Sequence, residues 1–295
     1  MKQRLAKYAG HIFVYGFLAF ILIITFIPLW NILVLSLNDG GDTLKGGFLL
    51  WPREFTLDSY RTVFNNSEIL SSLKITLLRT VIGVPVTIAC VSMTAYVLSK
   101  KELAGRRFFN FFFVFTMYFT GGLIPTYMVI KGLNLIDSFW VFILPGAMNV
   151  FWMILVRTYM EGLPEELEEA ARMEGAGSFK IFLKIIIPLC KPVLATIVLF
   201  SAIYHWNSWY DSYIYTYRQE LKTLSSVLVK ILNQYQTGDM LSASQQIADT
   251  ATRSPVTSES IRMATTMVAT LPIVILYPLL QKYFLKGMLV GAVKS

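Results

Sequence analysis

Charged residues are scarce in this chain. Only 15% of its 295 residues are Asp, Glu, Lys or Arg, whereas 55% are hydrophobic. A soluble domain usually carries about 25% charged residues. Together with a mean hydropathy of +0.56, this scarcity excludes an ordinary soluble globular domain. The apolar residues fall in long runs, which favour a membrane protein because a bilayer core about 30 Å thick needs roughly 20 mostly apolar residues per helix.

Cysteine and histidine are also rare, with two residues of each. Cys90 falls inside an apolar run and Cys190 lies beside a basic segment, so the two thiols are expected at different depths and no disulfide is predicted. His11 and His205 have no metal-ligand spacing, and no metal site is predicted. The sequence has no Gly-x-Ser-x-Gly nucleophile turn and no Gly-x-x-x-x-Gly-Lys-Ser/Thr phosphate loop. These absences argue against a membrane enzyme and against ATP binding by this chain.

The long apolar runs predict an all-α, polytopic membrane protein. They indicate six transmembrane helices, at about 12–37, 70–98, 108–130, 138–158, 192–216 and 263–285. The first run is too long for a signal peptide, so it is interpreted as a membrane helix. A net charge of +8 could favour nucleic-acid binding, but the basic residues lie at the ends of apolar runs rather than in one patch. The expected surroundings are therefore membrane lipid, and no nucleic-acid partner is expected.

The positions of the basic residues predict the orientation. Short segments on one side of the predicted membrane contain Lys2, Arg4, Lys7, Lys100, Lys101, Arg106, Arg107, Arg172, Lys180, Lys184, Lys191, Lys286 and Lys294. Under the positive-inside rule this side is cytoplasmic, and six spans place both termini there. Lys74 and Arg79 fall near the outer start of the second span, where they are expected to snorkel or to face protein or water. The outer segments of about 38–69 and 217–262 are large enough for an external partner, although plain loops fit equally well.

The sequence pattern after the fourth span predicts a helix, a turn and a second helix. Pro164 suits the first helical position, acidic residues follow it, and Gly175 suits the residue just past the helix end. A short helix over about 164–174 is predicted, too short and too charged to span a membrane. After Gly177 a second amphipathic run leads to Pro188 and back into the bilayer. These properties alone also fit an ordinary pair of interfacial helices.

The residue identities in this segment carry a more specific signal. The residues concerned are Glu169, Ala170, Ala171, Gly175, Ile185 and Pro188. Their spacing resembles the signature loop of binding-protein-dependent ABC importer permeases, with Ile187 where Leu is usual and Glu174 where Asp is frequent. The resemblance implies a coupling loop over residues 159–188, which docks into a groove on a separate ATPase. We hypothesise that Glu169 anchors this helix electrostatically and that Gly175 holds the turn that aims it.

The resemblance extends over nearly the whole chain and points to the carbohydrate-uptake branch, in particular to oligosaccharide permeases of the lipoprotein-operon type. The supporting stretches are 121–127, 135–137, 143–146 and 286–294. The resemblance implies one transmembrane permease domain, residues 1–295, in the bacterial cytoplasmic membrane. It also implies a second, non-identical permease subunit, two cytoplasmic ATPase subunits that bind ATP and Mg, and an external substrate-binding protein. This chain would then be a transport subunit without a cofactor of its own, through which an oligosaccharide passes.

The fifth span carries a candidate substrate path. Its residues are His205, Trp206, Asn207, Trp209, Tyr210 and Asp211. Aromatic rings can stack on sugars, and polar groups at membrane depth usually face protein or water. An interfacial aromatic belt is the alternative, because Trp and Tyr gather at headgroup level. A secondary transporter and a non-transporting membrane scaffold also remain open, although the sequence shows no internal repeat and few acids within the spans.

Overall fold

The computed structural model of the chain describes residues 2–241 and 256–292. Within these ranges the regular structure is helical, apart from one antiparallel bridge between Asn38 and Phe55. The α-helices are α1 Lys2–Ser36, α2 Gly40–Thr43, α3 Asp58–Asn65, α4 Ser67–Ser99, α5 Arg106–Tyr118, α6 Leu123–Gly132, α7 Val150–Glu161, α8 Glu166–Met173, α9 Ser178–Ile181, α10 Ile187–Leu189, α11 Lys191–Asn207, α12 Tyr210–Tyr215, α13 Leu224–Leu241 and α14 Ser258–Ala292. Phe139–Phe142 and Gln219–Leu221 are 3₁₀-helices, and Phe182–Ile186 is a π-helix. The predicted all-α class is confirmed for this part of the chain.

Two described helices are long and apolar enough to cross a membrane without a break. They are Gly10–Ser36 within α1 and Ser67–Ser99, which is α4. They coincide with the predicted spans at 12–37 and 70–98. The apolar stretch of α1 is exposed from Gly10 to Leu29 and becomes buried at Val34 and Ser36, whereas α4 is partly buried within the protein. Therefore α4 contributes to the protein core, whereas most side chains of α1 lie outside it.

The predicted span over 108–130 is bent in the structure. Helix α5 ends at Tyr118, α6 begins at Leu123, and the two are bent by 115°. Gly122, between them, has φ +80° and ψ −174°, a conformation available almost only to glycine. The pair is apolar enough to count together as one broken span.

The predicted fourth and fifth spans are interrupted as well. In the range 138–158, the helix α7 begins only at Val150, after a 3₁₀-helix and an irregular stretch that contains Pro145 and Gly146. In the range 192–216, α11 and α12 are separated by a break, and α11 meets the helical segment before it at 82°. The range 263–285 lies inside α14. Within the described residues there are thus two unbroken apolar spans, or four if each bent pair is one span.

Helix α13 lies in a segment whose polar composition predicts a loop. Its first turn buries Leu224 and Val227. The amide of Leu224 donates to Thr76 Oγ1 of α4 at 2.9 Å, which satisfies one of the amides that a helix start leaves without a partner. This packing against α4 explains the helix, because local composition alone does not favour it.

Contacts divide the chain into two compact units. One consists of the described residues of 1–69 and 228–271, and the other of those of 70–227 and 272–295. The main core of the second unit joins α4, α7, the segment from α9 to α10, and α11, through Val91, Tyr96, Met153, Phe182 and Ile197. Ala171 of the short helix α8 belongs to the same cluster, so α8 is seated directly on this core.

In the first unit, buried polar groups order the segment that follows α1. Asn38 is fully buried; its Nδ2 donates to Asp42 Oδ2 at 3.0 Å, and its Oδ1 accepts from the Glu54 amide at 3.0 Å. Gly40 lies against Thr257, where a Cβ atom would approach the Thr257 amide nitrogen to 2.5 Å. Only glycine allows this approach, which positions the start of α14 in this unit.

Candidate functional site

Helix α8 ends in a turn that requires glycine. Gly175 has φ +79°, a left-handed conformation that residues with a Cβ avoid. The Gly175 amide donates to the Arg172 carbonyl and the Ala176 amide to the Ala171 carbonyl, each at 2.9 Å. This pair of bonds is a Schellman motif, the usual closure of a helix by glycine. Gly175 therefore sets the direction in which the chain leaves α8.

The segment after the turn is anchored in the core and leads to the membrane helix α11. Ile181, Phe182 and Ile186 are almost fully buried, while Ile185 is half-buried and Pro188 is exposed. Pro188 has no amide hydrogen to donate to the carbonyl four residues earlier, so regular α-helical bonding fails there. The backbone over Phe182–Ile186 widens to a π-helix at this place. The sequence predicted the return helix but not this widened turn.

Helix α8 has an inward and an outward face. Ala171 is buried in the core, whereas Glu169 and Ala170 are exposed. Leu167 is also exposed, and Met173 is 89% exposed. Apolar and small side chains that point outward beside an acidic residue form a surface suited to a protein partner.

Ion pairs join the region of α8 to the residues that follow α4. Lys100 pairs with Glu168, and Lys101 pairs with Glu165 at 2.5 Å. The side chains of the first pair are 27% and 17% exposed, and those of the second are 76% and 68% exposed. The hydrogen bond from Lys101 lowers the pKa of the Glu165 carboxyl below its ordinary value of 4.5.

A polar cavity of about 300 Å³ lies between these elements. Its lining includes Lys100, Arg106, Glu161, Glu168 and Arg172, so charges of both signs face it. The Arg106 Nη2 atom lies 2.5 Å from Glu161 Oε1, and the Arg106 Nε atom donates to the carbonyl of Leu98 at 3.1 Å. These bonds hold the start of α5 to the end of α7 and the end of α4. In the part of the chain that the structure describes, no group of His, Cys, Asp and Glu could hold a metal ion.

The candidate substrate-path residues divide into two sets. His205 and Trp206 are buried, whereas Asn207, Trp209 and Tyr210 are exposed. The sequence does not distinguish the two sets, because all of them lie in one aromatic stretch at the end of the fifth predicted span. Only the exposed set presents its side chains outside the protein core.

Asp211, the remaining path candidate, is bound by a fully buried arginine of α4. Arg79 Nη1 donates to Asp211 Oδ1 at 3.0 Å, and Arg79 Nη2 donates to the other carboxylate oxygen. Arg79 Nη1 also donates to the carbonyl of Ser208 at 3.2 Å, and its guanidinium carbon lies 5.1 Å from the centre of the Phe142 ring. Ser208 lies in the break between α11 and α12, where carbonyls have lost their helical partners. Arg79 thus supports the broken helix, and it faces protein, one of the outcomes expected for it.

His205 packs closely against α4. A Cβ atom at Gly83 would lie 2.6 Å from the His205 ring, so the glycine makes room for the imidazole. The ring nitrogens lie 3.5 Å from Arg79 Nε and 3.5 Å from Thr87 Oγ1. His205 is therefore a buried packing and hydrogen-bonding residue of this interface.

Asp137 organises the segment that follows α12. Its Oδ1 atom accepts from the amides of Tyr217 at 2.6 Å and Arg218 at 3.0 Å, and its own carbonyl accepts from Arg218 Nη2 at 3.0 Å. The Arg218 amide, followed by the Tyr217 amide, lowers the pKa of Asp137 below its ordinary value of 3.8. The hydroxyls of Tyr217 and Tyr127 lie 3.0 Å apart. Tyr217 and Arg218 are thereby held in place while their side chains remain exposed.

Comparison with known proteins defines the class of this chain. A sequence model of the family described as "Binding-protein-dependent transport system inner membrane component" matches residues 8–210. The chain therefore belongs to this family. It is a membrane-embedded permease component of a transport system and not an enzyme, as the sequence predicts.

Two proteins of Bacillus subtilis are similar to this chain over all or nearly all of its length. The chain is 37% identical to the polygalacturonan/rhamnogalacturonan transport system permease protein YtcP of Bacillus subtilis (strain 168), and the alignment covers 100% of both chains. It is also 37% identical to protein LplC of the same organism, over 92% of this chain and 90% of that protein.

Solved structures of transporters have the same fold. A chain of a bacterial ABC transporter involved in the import of the acidic polysaccharide alginate superposes with a TM-score of 0.85 at 30% identity, covering 95% of this chain and 98% of that one. A chain of the bacterial alginate ABC transporter in complex with alginate pentasaccharide-bound periplasmic protein has a TM-score of 0.55 at 14% identity, and this second likeness shows the fold alone.

Proposed function

We propose that this chain is one permease subunit of an ATP-driven importer and forms part of the path for an oligosaccharide delivered by an external binding protein. The observation that carries the proposal is the similarity to YtcP over the full length of both chains. The outward face of α8 and the glycine turn behind it support it independently, because they provide a docking surface that is firmly joined to a membrane helix. A secondary transporter and a non-transporting scaffold gain no support from these relatives.

Helix α8 is the element through which ATPase movement is transmitted to this subunit. Glu169 and Ala170 face outward and contact a groove on a separate ATPase subunit, which binds ATP and Mg, while Ala171 holds α8 on its own core. When two ATPase subunits close on ATP, the docked helix moves with them, and the spans change between inward-open and outward-open arrangements. The proposed coupling residues are Glu169, Ala170, Ala171, Gly175, Ile185 and Pro188.

Six spans with both termini in the cytoplasm are the proposed topology. Lys and Arg in the short segments on one predicted side support this orientation. The spans are α1, α4, the bent pair α5–α6, the segment that ends in α7, the segment α11–α12, and α14. A second, non-identical permease subunit completes the translocation path.

The substrate proposed is an oligosaccharide of an acidic polysaccharide. YtcP is named for transport of polygalacturonan and rhamnogalacturonan, and the similar transporter structure is described as an importer of alginate. The exposed rings of Trp209 and Tyr210 offer faces on which sugars stack, and the exposed Arg218 offers a cation for a sugar carboxylate. Arg79 is not available for this purpose, because Asp211 and the carbonyl of Ser208 occupy its donors.

The test is reconstitution of the importer from this chain, its partner permease, the ATPase subunits and the binding protein in proteoliposomes. Oligogalacturonates and alginate oligosaccharides are compared with neutral galacto-oligosaccharides of matched length. We expect acidic oligosaccharides to stimulate ATP hydrolysis and to be taken up only when the binding protein is present. An ATPase subunit that lacks its phosphate-loop lysine is the control and abolishes uptake. Uptake of neutral sugars alone contradicts the substrate class, and failure of the ATPase to co-purify with this chain contradicts the importer.

A further inference from the structure

A half-buried ion pair holds α8 to the end of α4. The Lys100 ammonium contacts both carboxylate oxygens of Glu168. The Tyr96 hydroxyl, one turn earlier, donates to Glu168 Oε2 at 3.4 Å, and the Lys100 ammonium lies 4.1 Å from the centre of the Tyr96 ring. One carboxylate of α8 is thus held by two side chains at the end of the second predicted span. Arg172 also lies 3.9 Å from Glu168, but it belongs to α8 itself and cannot join the two helices.

Tyr96 also contacts the segment that follows the glycine turn. Its ring is buried, and its centre lies 5.1 Å from that of Phe182, which is buried as well. The contacts therefore run from Glu168 to α4 and on to the return segment behind Gly175. A helix of eight residues that was held only by its two ends would be free to tilt at the turn. Ala171 already seats α8 on the core, and the contact of Glu168 with α4 adds a second restraint on this tilt.

We propose that Glu168 and Lys100 are positioning residues for energy coupling, which make α8 and α4 move as one body. Movement of the docked ATPase then reaches the second membrane span directly, and not only through the return segment and α11. This inference rests on the proposed function. A partly buried, charge-assisted pair holds its geometry better than a pair in open solvent.

The chain contains a matched control for this pair. Lys101 and Glu165 join the same two regions of the chain at 2.5 Å, but both side chains are more than two-thirds exposed. Water and salt screen such a pair, and its geometry costs side-chain entropy. Removing it changes the same net charge and leaves the contact between Lys100 and Glu168 intact.

The experiment uses the complete importer in proteoliposomes and measures substrate taken up per ATP hydrolysed. Glu168→Gln and Lys100→Met are each expected to lower this ratio by about tenfold while ATP hydrolysis continues, because a charge-assisted hydrogen bond is lost. Glu165→Gln and Lys101→Met are expected to stay within about twofold of wild type. Lys100→Arg keeps the charge and is expected to retain most of the ratio. The double variant of Glu168 and Lys100 is expected to be no worse than either single variant, because both remove the same contact.

A wild-type ratio in Glu168→Gln and Lys100→Met overturns the inference, and so does an equal loss in the control variants. Loss of the ATPase from the purified complex in both variants also overturns it, because the pair would then serve assembly rather than coupling. If wild-type importer shows no ATP hydrolysis dependent on the binding protein, the proposed function fails and the inference falls with it. If wild-type importer couples uptake to ATP hydrolysis and the Glu168 and Lys100 variants do so equally well, only this inference fails and the proposed function stands.

Discussion

At the scale of single residues, Arg79 shows how a charge is stabilised at membrane depth. A cation within an apolar span is costly unless it is paired and its donors are satisfied. Asp211 supplies the opposite charge, the carbonyl of Ser208 accepts one further bond, and the face of Phe142 covers the guanidinium. Through these contacts the charged Arg79 side chain stabilises the break between α11 and α12.

Removing one partner of this pair is expected to destabilise the protein severely. Asp211→Asn leaves the buried Arg79 without its counter-charge, and the expected loss is about 3–5 kcal/mol of unfolding free energy. Thermal unfolding of the purified chain in detergent measures it. Trp209→Ala, an exposed neighbour, is the control; it is expected to keep the stability and to raise the KM for uptake. An Asp211→Asn variant as stable as Trp209→Ala contradicts this account of Arg79.

Asp137 is expected to contribute stability that depends on pH. The amide of Arg218, followed by that of Tyr217, lowers the pKa of Asp137 in the folded protein. The stability that Asp137 contributes is therefore complete above the unfolded value of 3.8 and is lost as the pH falls through the lower, folded value. Asp137→Asn should therefore melt below wild type at neutral pH, with a difference that shrinks below about pH 4. Melting temperatures across an acid pH series check this. A difference that stays constant or grows in acid contradicts it.

At the scale of elements, the turn after α8 decides the orientation of this proposed docking helix. Gly175→Ala must place a Cβ in the left-handed conformation, at a cost of about 1–2 kcal/mol. No atom lies within 4 Å of that Cβ, so the chain tolerates the side chain sterically while the turn relaxes. We expect folding to persist and uptake per ATP to fall, more strongly in Gly175→Arg, which adds a long charged side chain in the same strained conformation.

Gly177 provides the matched control for this turn. It has φ −71°, which any residue adopts, and no atom lies within 4 Å of the position that a Cβ would take there. Gly177→Ala is therefore expected to transport normally. Uptake and ATP hydrolysis are measured side by side in the same proteoliposomes. Normal coupling in Gly175→Arg, or equal losses in Gly175→Ala and Gly177→Ala, contradicts the role given to the turn.

Local sequence patterns predict some elements of this protein and miss others for a physical reason. The unbroken apolar runs predict α1 and α4, and the acidic start and glycine end predict α8. The break after α11 and the helix α13 depend instead on partners far away in the sequence: Arg79 bonds the carbonyl of Ser208, and Thr76 bonds the amide of Leu224. The pairing of Lys100 with Glu168 is equally non-local, so sequence spacing does not reveal it.

At the scale of the whole molecule, the proposed function makes the chain a component that receives motion generated by the ATPase subunits. It has no phosphate loop, belongs to a family of transport-system membrane components, and presents a short helix with an outward face of small, apolar and acidic residues. The proposed ATPase partner accounts for these features together. It requires that the outward face of α8 lie in the cytoplasm against that subunit.

Site-specific photo-crosslinking in the assembled importer tests whether the outward face of α8 lies against the ATPase subunit. A photoreactive residue is placed at Met173, which is 89% exposed in α8, and for comparison at Trp51, which is 73% exposed in the predicted outer segment. A crosslink from position 173 to the ATPase subunit is expected, and none from position 51. No ATPase crosslink at position 173 in an importer that transports, or an ATPase crosslink at position 51, would contradict it.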